Sequence, residues 1–301
     1  MFRRCRWRNR MSLNGKKLYV LTPMYGGNLS VNYHSSFFQL VHAFEELKRK
    51  GLEVDLESRS VWNESLISRA RNRLADCFLK ESSFTHACFI DADIGFEPVD
   101  IISMLEMDKD ILGVPCSKKS IRWDRIQMAV ARRVLEWSKN SPACQNGFDP
   151  AALAQQFVSS QAAFPPDVIS RIAGDFVLNF PLDEQEKIIK FDTPEPMRHV
   201  GTGLLMVKRE VFLKFMKCYP DRWYEARSDN ASNPGRIHDF FKVGVNPETR
   251  EYDSEDYWFC HDCIAMGYKI LIAPWVKTTH MGTNTFIGDM PAALACAGSI
   301  F

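Results

Sequence analysis

Asp91-Ala92-Asp93 follows the apolar run Thr85–Ile90 and sets two carboxylates one residue apart. Paired oxygen ligands of this kind suit a hard divalent cation, Mg²⁺ or Mn²⁺, which can bridge to a diphosphate and neutralise its charge. Solvated turns also produce Asp-x-Asp, so the weight of the pattern comes from the buried strand that delivers it. A second acidic group, Asp253-Ser254-Glu255-Asp256, opens an amphipathic segment. Carboxylates there satisfy the free N–H groups of a helix's first turn; in a cleft, Asp256 or Glu255 can instead act as a general base. His280 stands beyond another strand, before Gly282 and Thr283. A neutral imidazole suits Mn²⁺ and can complete a site begun by Asp93, although a lone histidine is equally a structural residue.

Three further groups carry less. Gly201-Thr202-Gly203 lacks the third glycine of a dinucleotide fingerprint and precedes its strand rather than following it, which leaves close backbone approach to a ligand as its use. Cys260-His261-Asp262-Cys263 is the chain's single Cys-x-x-Cys, with no second pair at zinc-site spacing, so the two thiols read as packing residues. Arg69, Arg71 and Arg73 lie on one helical segment, where residues two apart point about 200° from each other, so the three cannot all face one phosphate; one or two can reach the cleft and the rest read as solvated.

Elements that alternate along the chain must hold these groups. Lys16–Pro23, Leu52–Glu57, Thr85–Ile90 and Asp110–Val114 read as strands; Ser35–Lys50, Asn63–Lys80 and Val99–Met107 read as helices between them. His199–Val207 resumes the sheet, Lys208–Lys217 is a helix, Tyr219–Val245 reads as loop, and Ser254–Met266 is a helix before the strand Tyr268–Ala273. The alternation predicts an α/β fold with a mostly parallel central sheet flanked by helices, whose ligands lie beyond the strands' carboxyl ends. Thr22–Gly27 and Asp91–Asp93 should therefore line one cleft. Residues 126–190 break the rhythm: the helical runs Ile126–Lys139 and Pro150–Ser160 mark a helical insertion. The expected organisation is a basic leader over 1–15, disordered, and one domain over 16–301.

Composition narrows the class. With 46% hydrophobic and 25% charged residues over 301 positions, the chain is neither disordered nor collagen-like nor a coiled coil. Net charge is +1, and Arg3, Arg4, Arg6, Arg8 and Arg10 account for five positive charges, leaving −4 on the rest. A mildly acidic body does not suggest nucleic acid as partner. Nine scattered cysteines, an odd number, read as free thiols in a reducing, cytoplasmic compartment. No apolar run reaches the ~20 residues of a membrane-spanning helix, and no h-region follows the arginines. Trp7 among them leaves peripheral contact with an anionic membrane as an expectation.

The strings YVLTPMYGG, SLISRARNRLAD, FIDADIGFEP, GVPCSKKSIRWDRI, HVGTGLLMVKREVF, YDSEDYWFCHDCIAMGYKI and HMGTNTF keep their order and spacing over residues 17–125 and 198–287. Together they resemble the GT-A fold glycosyltransferases common in bacteria, phages and large DNA viruses, with a more distant likeness to the yeast mannan-polymerase type. The resemblance implies a Rossmann-like GT-A fold, transfer from a UDP- or GDP-sugar to a glycan or glycoconjugate hydroxyl, and dependence on Mn²⁺ or Mg²⁺. It also implies roles. Thr22, Pro23 and Tyr25 would cradle base and ribose, and Arg69 and Asn72 would help hold the nucleotide. Asp91 and Asp93 would be the Asp-x-Asp pair, with Asp93 the direct ligand and His280 the third protein ligand. Lys118, Lys119 and Trp123 would border a sugar, and Asp256 would be the base of an inverting reaction, with Glu255 beside it. The setting implied is the cytoplasm of a bacterium or a virus-infected host. The segment 126–190 has no counterpart in that family.

Two other classes compete. A sugar-1-phosphate nucleotidyltransferase would carry a glycine- and lysine-rich loop after its first strand, and Thr22-Pro23-Met24-Tyr25-Gly26-Gly27-Asn28 has no basic residue. A non-catalytic sugar-nucleotide-binding module would have no reason to retain Asp91, Asp93, Asp256 and His280 together.

Overall fold

A computed structural model of the chain describes residues 11–140, 156–160, 163–176, 178–181, 189–226 and 235–283. Most of the leader, the greater part of the predicted helix Pro150–Ser160, and Cys5, Cys144 and Cys296 lie outside the described residues. The first half gives β1 (Lys17–Met24), α1 (Val31–Arg49), β2 (Asp55–Trp62), α2 (Ile67–Lys80), β3 (His86–Ile90), β4 (Ile94–Phe96), α3 (Pro98–Met107), β5 (Ile111–Gly113) and β6 (Ser117–Ile121). Then come α4 (Trp123–Asn140), α5 (Pro166–Ile172), β7 (Gly174–Phe176), β8 (Glu195–Met197), β9 (Leu204–Lys208) and α6 (Arg209–Cys218). Beyond them are β10 (Trp223–Glu225), β11 (Arg236–His238), β12 (Gly244–Val245), β13 (Tyr252–Asp253), α7 (Glu255–Ala265), β14 (Ile270–Ile272) and β15 (Thr278–His280).

The central sheet runs β2-β1-β3-β9-β5-β14-β8. Strands β2, β1, β3, β5 and β14 point one way, whereas β9 is antiparallel to both β3 and β5, and β8 to β14. The sheet is thus mostly parallel and Rossmann-like, as the alternation predicts. Its two faces follow the period of two along each strand. Tyr19, Leu21, Ala87, Phe89, Leu205 and Val207 face a core completed by Leu74 and Phe78 of α2, Phe212 and Phe215 of α6, and Phe259 of α7. Leu18, Val20, Cys88, Ile90, Leu204 and Met206 face the other core, under Leu40 and Phe44 of α1 and Ile101, Ile102 and Leu105 of α3.

Several boundaries depart from the sequence reading for visible reasons. Helix α1 starts at Val31 rather than Ser35, because the Ser30 hydroxyl accepts the Tyr33 N–H at 3.1 Å and caps it earlier. Helix α2 starts at Ile67 rather than Asn63: Asn63 is left-handed at φ 56°, and Glu64 takes the Leu66 N–H instead. Strand β2 lies later than Leu52–Glu57, since it pairs on one side only and its polar sequence carries little pattern. The presumed loop Tyr219–Val245 contains the β10/β11 hairpin and buries Phe240 and Phe241 in the first core. The interruption after residue 121 is not purely helical either, because β7 returns to pair with β6. Cys77, Cys88, Cys116, Cys218, Cys260 and Cys263 are free thiols, and burial pushes those of Cys260 and Cys263 up, Cys260 to about 12, as fits packing residues.

Candidate functional site

The direction of β9 decides where the site forms. In an all-parallel sheet, the turn preceding a strand lies at the end opposite the ligands. Because β9 is reversed, Gly201-Thr202-Gly203 arrives at the carboxyl ends of β3 and β5. The Asp91 N–H donates to Gly203 O at 3.0 Å, and the Val114 N–H to Leu204 O at 2.9 Å. A Cβ on Gly203 would sit 3.9 Å from Asp91 Oδ2, and one on Gly201 3.6 Å from Asp256 Oδ2. The glycine turn thus runs between the two acidic groups that the sequence singled out.

On one side of it opens a cavity of about 450 Å³, walled by residues that include Pro23, Tyr25, Glu64, Arg71, Asp91 and Asp93. Both carboxylates of the Asp-x-Asp face a cation. Asp91 Oδ1 accepts from Arg71 Nη2 at 3.0 Å, and Asp93 Oδ2 accepts from Lys119 Nζ at 2.5 Å. Arg71 is fully buried on α2, and its Nε also donates to Glu255 Oε1 at 3.2 Å. Burial opposes its charge, but the attraction of Asp91 and then Glu255 outweighs that, so its pKa is raised. His280 reaches Asp93 across the β4/β15 ladder: its Nε2 lies 3.4 Å from Asp93 Oδ1, while its Nδ1 is 2.7 Å from Ser117 O. A backbone carbonyl can only accept, so Nδ1 carries a proton and Nε2 is the nitrogen turned toward Asp93.

On the other side lies a cavity of about 270 Å³, walled by Cys116, Asn179, His199, Gly201, Gly203, Ser254, Asp256 and Tyr257 among others. Asp256 Oδ1 accepts from the Ser254 hydroxyl and, at 2.9 Å, from the Tyr257 N–H. No ion pair to Asp256 occurs among the described residues. Glu255, one position earlier, points instead to Arg71, so two neighbours in one helical turn take different partners.

Other residues named from sequence fall elsewhere. Thr22 is buried beneath α1, and its hydroxyl bonds Tyr33 Oη at 2.5 Å; alternation along β1 turns it away from the cavity that Pro23 and Tyr25 line. Asn72 is buried too. Its amide donates to Asp239 at 2.7 Å and accepts the Phe241 N–H at 2.9 Å, which fastens α2 to the 239–241 segment rather than to a ligand. Arg69 is clamped on Glu64 by two bonds of 2.6 Å. Lys118 pairs with Asp175 at 3.5 Å, and Trp123 is exposed at the start of α4.

The donor chemistry around Asp93 suits a divalent cation whose remaining ligands are diphosphate and water oxygens: one carboxylate and one imidazole with Nε2 toward that carboxylate. Asp91 is committed to Arg71, and among the described residues no three carboxylate, imidazole or thiol groups converge as a complete cage. The sequence left open which of Arg69, Arg71 and Arg73 reaches the cleft, and it is Arg71; missed altogether is a polar group walling a third cavity, of about 370 Å³, that includes His199, His261, Asp253 and Asn246. Arg71 had a signal. With Leu74, Ala75 and Phe78 it falls at i, i+3, i+4 and i+7, an arginine inside the apolar stripe of its helix. His199 Nε2 lies 3.2 Å from His261 Nε2, which lies 3.4 Å from Asp253 Oδ2, a grouping across 62 residues that no local pattern announces.

No protein family's model matches this chain, and no curated protein matches it. Among solved structures, the crystal structure of A197 from STIV is similar over 89% of this chain and 86% of its own, at 10% identity and a TM-score of 0.40. The crystal structure of a glycosyltransferase involved in the glycosylation of the major capsid of PBCV-1 is similar over 53% of this chain and 79% of its own, at 13% identity and a TM-score of 0.21. One distant structural neighbour is thus a glycosyltransferase, and at these scores the function has to be argued from the residues. No helix among the described residues is long and apolar enough to cross a membrane.

Proposed function

We propose that the protein is a glycosyltransferase that moves a sugar from a nucleotide-diphosphate sugar, UDP- or GDP-linked, to a hydroxyl of a glycan or glycoconjugate. One observation carries the reading: a single glycine turn separates a cavity holding Asp91 and Asp93 from one holding Asp256. A transferase that joins two substrates requires such a division, with leaving-group chemistry on one side and proton removal on the other. Pro23 and Tyr25 form the wall against which nucleoside packs, and Arg71 and Lys119 supply positive charge near the diphosphate. Asp93 and His280 would hold Mn²⁺ or Mg²⁺, which when bound neutralises charge on the departing diphosphate. Across the turn, Oδ1 of Asp256 is occupied by Ser254 and Tyr257, and Oδ2 is left to take the proton of the acceptor hydroxyl. That arrangement fits inversion, with the acceptor entering opposite the leaving group.

Incubation with UDP- and GDP-sugars and Mn²⁺ tests the assignment. Slow release of nucleoside diphosphate without acceptor, dependent on the metal, is the expected result. Binding of the same compounds with no turnover would make the protein a binding module, and release of pyrophosphate from a nucleoside triphosphate and a sugar 1-phosphate would make it a nucleotidyltransferase.

A further inference from the structure

We propose that Arg71 reads the diphosphate directly: its Nη1 donates to a phosphoryl oxygen of the donor, while Nη2 and Nε keep Asp91 and Glu255 in register with that contact. The inference rests on the nucleotide-sugar reading and adds a ligand contact that the sequence did not assign. A guanidinium presents five N–H donors in a rigid plane. In Arg71, Nη2 is used by Asp91 and Nε by Glu255, but Nη1 is buried with no partner. A buried donor left unpaired is costly, and a guanidinium N–H is a strong, charge-assisted donor to a phosphoryl oxygen. Arg71 also walls the cavity that holds Asp91 and Asp93.

The reach of the contact gives it a second consequence. Asp91 stands 20 residues and Glu255 184 residues from Arg71 in the chain, at the ends of β3 and the start of α7. A diphosphate seated on Nη1 is therefore registered, through one rigid group, with the helix turn that carries Asp256. A lysine has the charge and three donors but not the planar fork, so it cannot reproduce the fixed directions of these three contacts.

The test measures affinities of UDP, GDP, uridine and guanosine by calorimetry with 1 mM Mn²⁺ as a working condition (~1 mM, in the range of weak cation sites), for wild type, Arg71→Gln and Arg71→Lys. In Arg71→Gln the preference for diphosphate over nucleoside should fall roughly 10- to 100-fold, the size of one lost charge-assisted hydrogen bond, with nucleoside affinity unchanged. Arg71→Lys should recover part of it. If Arg71→Gln does not fold, the double variant Arg71→Gln/Glu255→Gln, which removes the charge left behind on α7, decides on the same scale. A folded variant that keeps the wild-type ratio overturns the role of Arg71 while leaving the nucleotide-sugar reading intact. Wild type that binds no nucleoside diphosphate overturns both.

Discussion

The two carboxylate groups on either side of the glycine turn are held in opposite ways. Asp91 and Asp93 each rest against a cation, Arg71 or Lys119, and Asp93 also faces an imidazole. Asp256 rests against a hydroxyl and a backbone N–H, both on one oxygen. Carboxylates locked to charges are suited to holding charged ligands, because exchanging one cation for another leaves the local charge nearly constant. A carboxylate held by dipoles alone keeps a lone pair for a proton. Under the proposed function the difference would assign binding to one cavity and proton transfer to the other, on residues that a sequence shows merely as acidic.

The sharpest way to break this contrast is Asp256→Asn. Transfer should drop by roughly 10²–10⁴, with donor affinity near wild type, as read from initial rates and calorimetry. A variant that keeps most of its transfer, or a product with the donor's anomeric configuration, would return Asp256 to a capping role. The matching change on the other side is Asp93→Ala. It should remove the Mn²⁺-dependent stabilisation by nucleoside diphosphate, about 2.7 kcal/mol at 100 times the wild-type Kd, without lowering the melting temperature of the free protein. Metal-dependent stabilisation that survives in Asp93→Ala would dissociate the cation from this carboxylate.

Two smaller effects sharpen the boundaries. Asn72→Ala should cost about 1–3 kcal/mol in urea unfolding, because it orphans buried partners, while leaving nucleotide affinity unchanged. Loss of affinity in a fully stable variant would put Asn72 back in the cavity. The smallest concerns pH. Burial holds His199, on the wall beside Asp256, and His86, the first residue of β3, neutral down to about 4, whereas an unfolded histidine protonates near 6.5. The unfolded chain therefore binds protons that the native one refuses. Stability should be flat above about 6.5 and fall below it, by about 1 kcal/mol per pH unit per histidine, down to about 4. His199→Asn should remove one histidine's share of that slope; an unchanged slope would mean that His199 accepts a proton in the folded state.

How far the sequence could be read follows the range of the interactions. Strands β1, β3 and β5 were legible because apolar runs end at turn residues, and the carboxyl-end position of Asp91 and Asp93 followed from them. The approach of His280 to Asp93 was expected between two loops, but His280 lies on β15 and it is the pairing of β15 with β4 that brings the two together. Thr22 and Asn72 were misplaced because their spacing fixes an element but not which face carries the ligand. The use of Gly201 and Gly203 depended on the direction of β9, which no property of the segment Leu204–Lys208 specifies; only its two neighbours in the sheet do. Which of Arg69, Arg71 and Arg73 turns inward could not be told from their spacing alone; helical phase followed over two turns puts Arg71 on the apolar stripe, while Arg69 and Arg73 both pair with Glu64.

The pairing of β6 with β7 has a consequence for the groups that β6 carries. Ser117 faces Phe176 and Ile121 faces Gly174, and the Arg122 N–H donates to Ala173 O at 2.9 Å. The chain that leaves after residue 122 therefore comes back to the same spot, where Lys118 and Arg122 also pair with Asp175 and Arg125 donates to Gly174 O. The clasp therefore steadies β6 at the point where the chain departs and returns, and β6 presents Lys119 to Asp93 and the Ser117 carbonyl to His280.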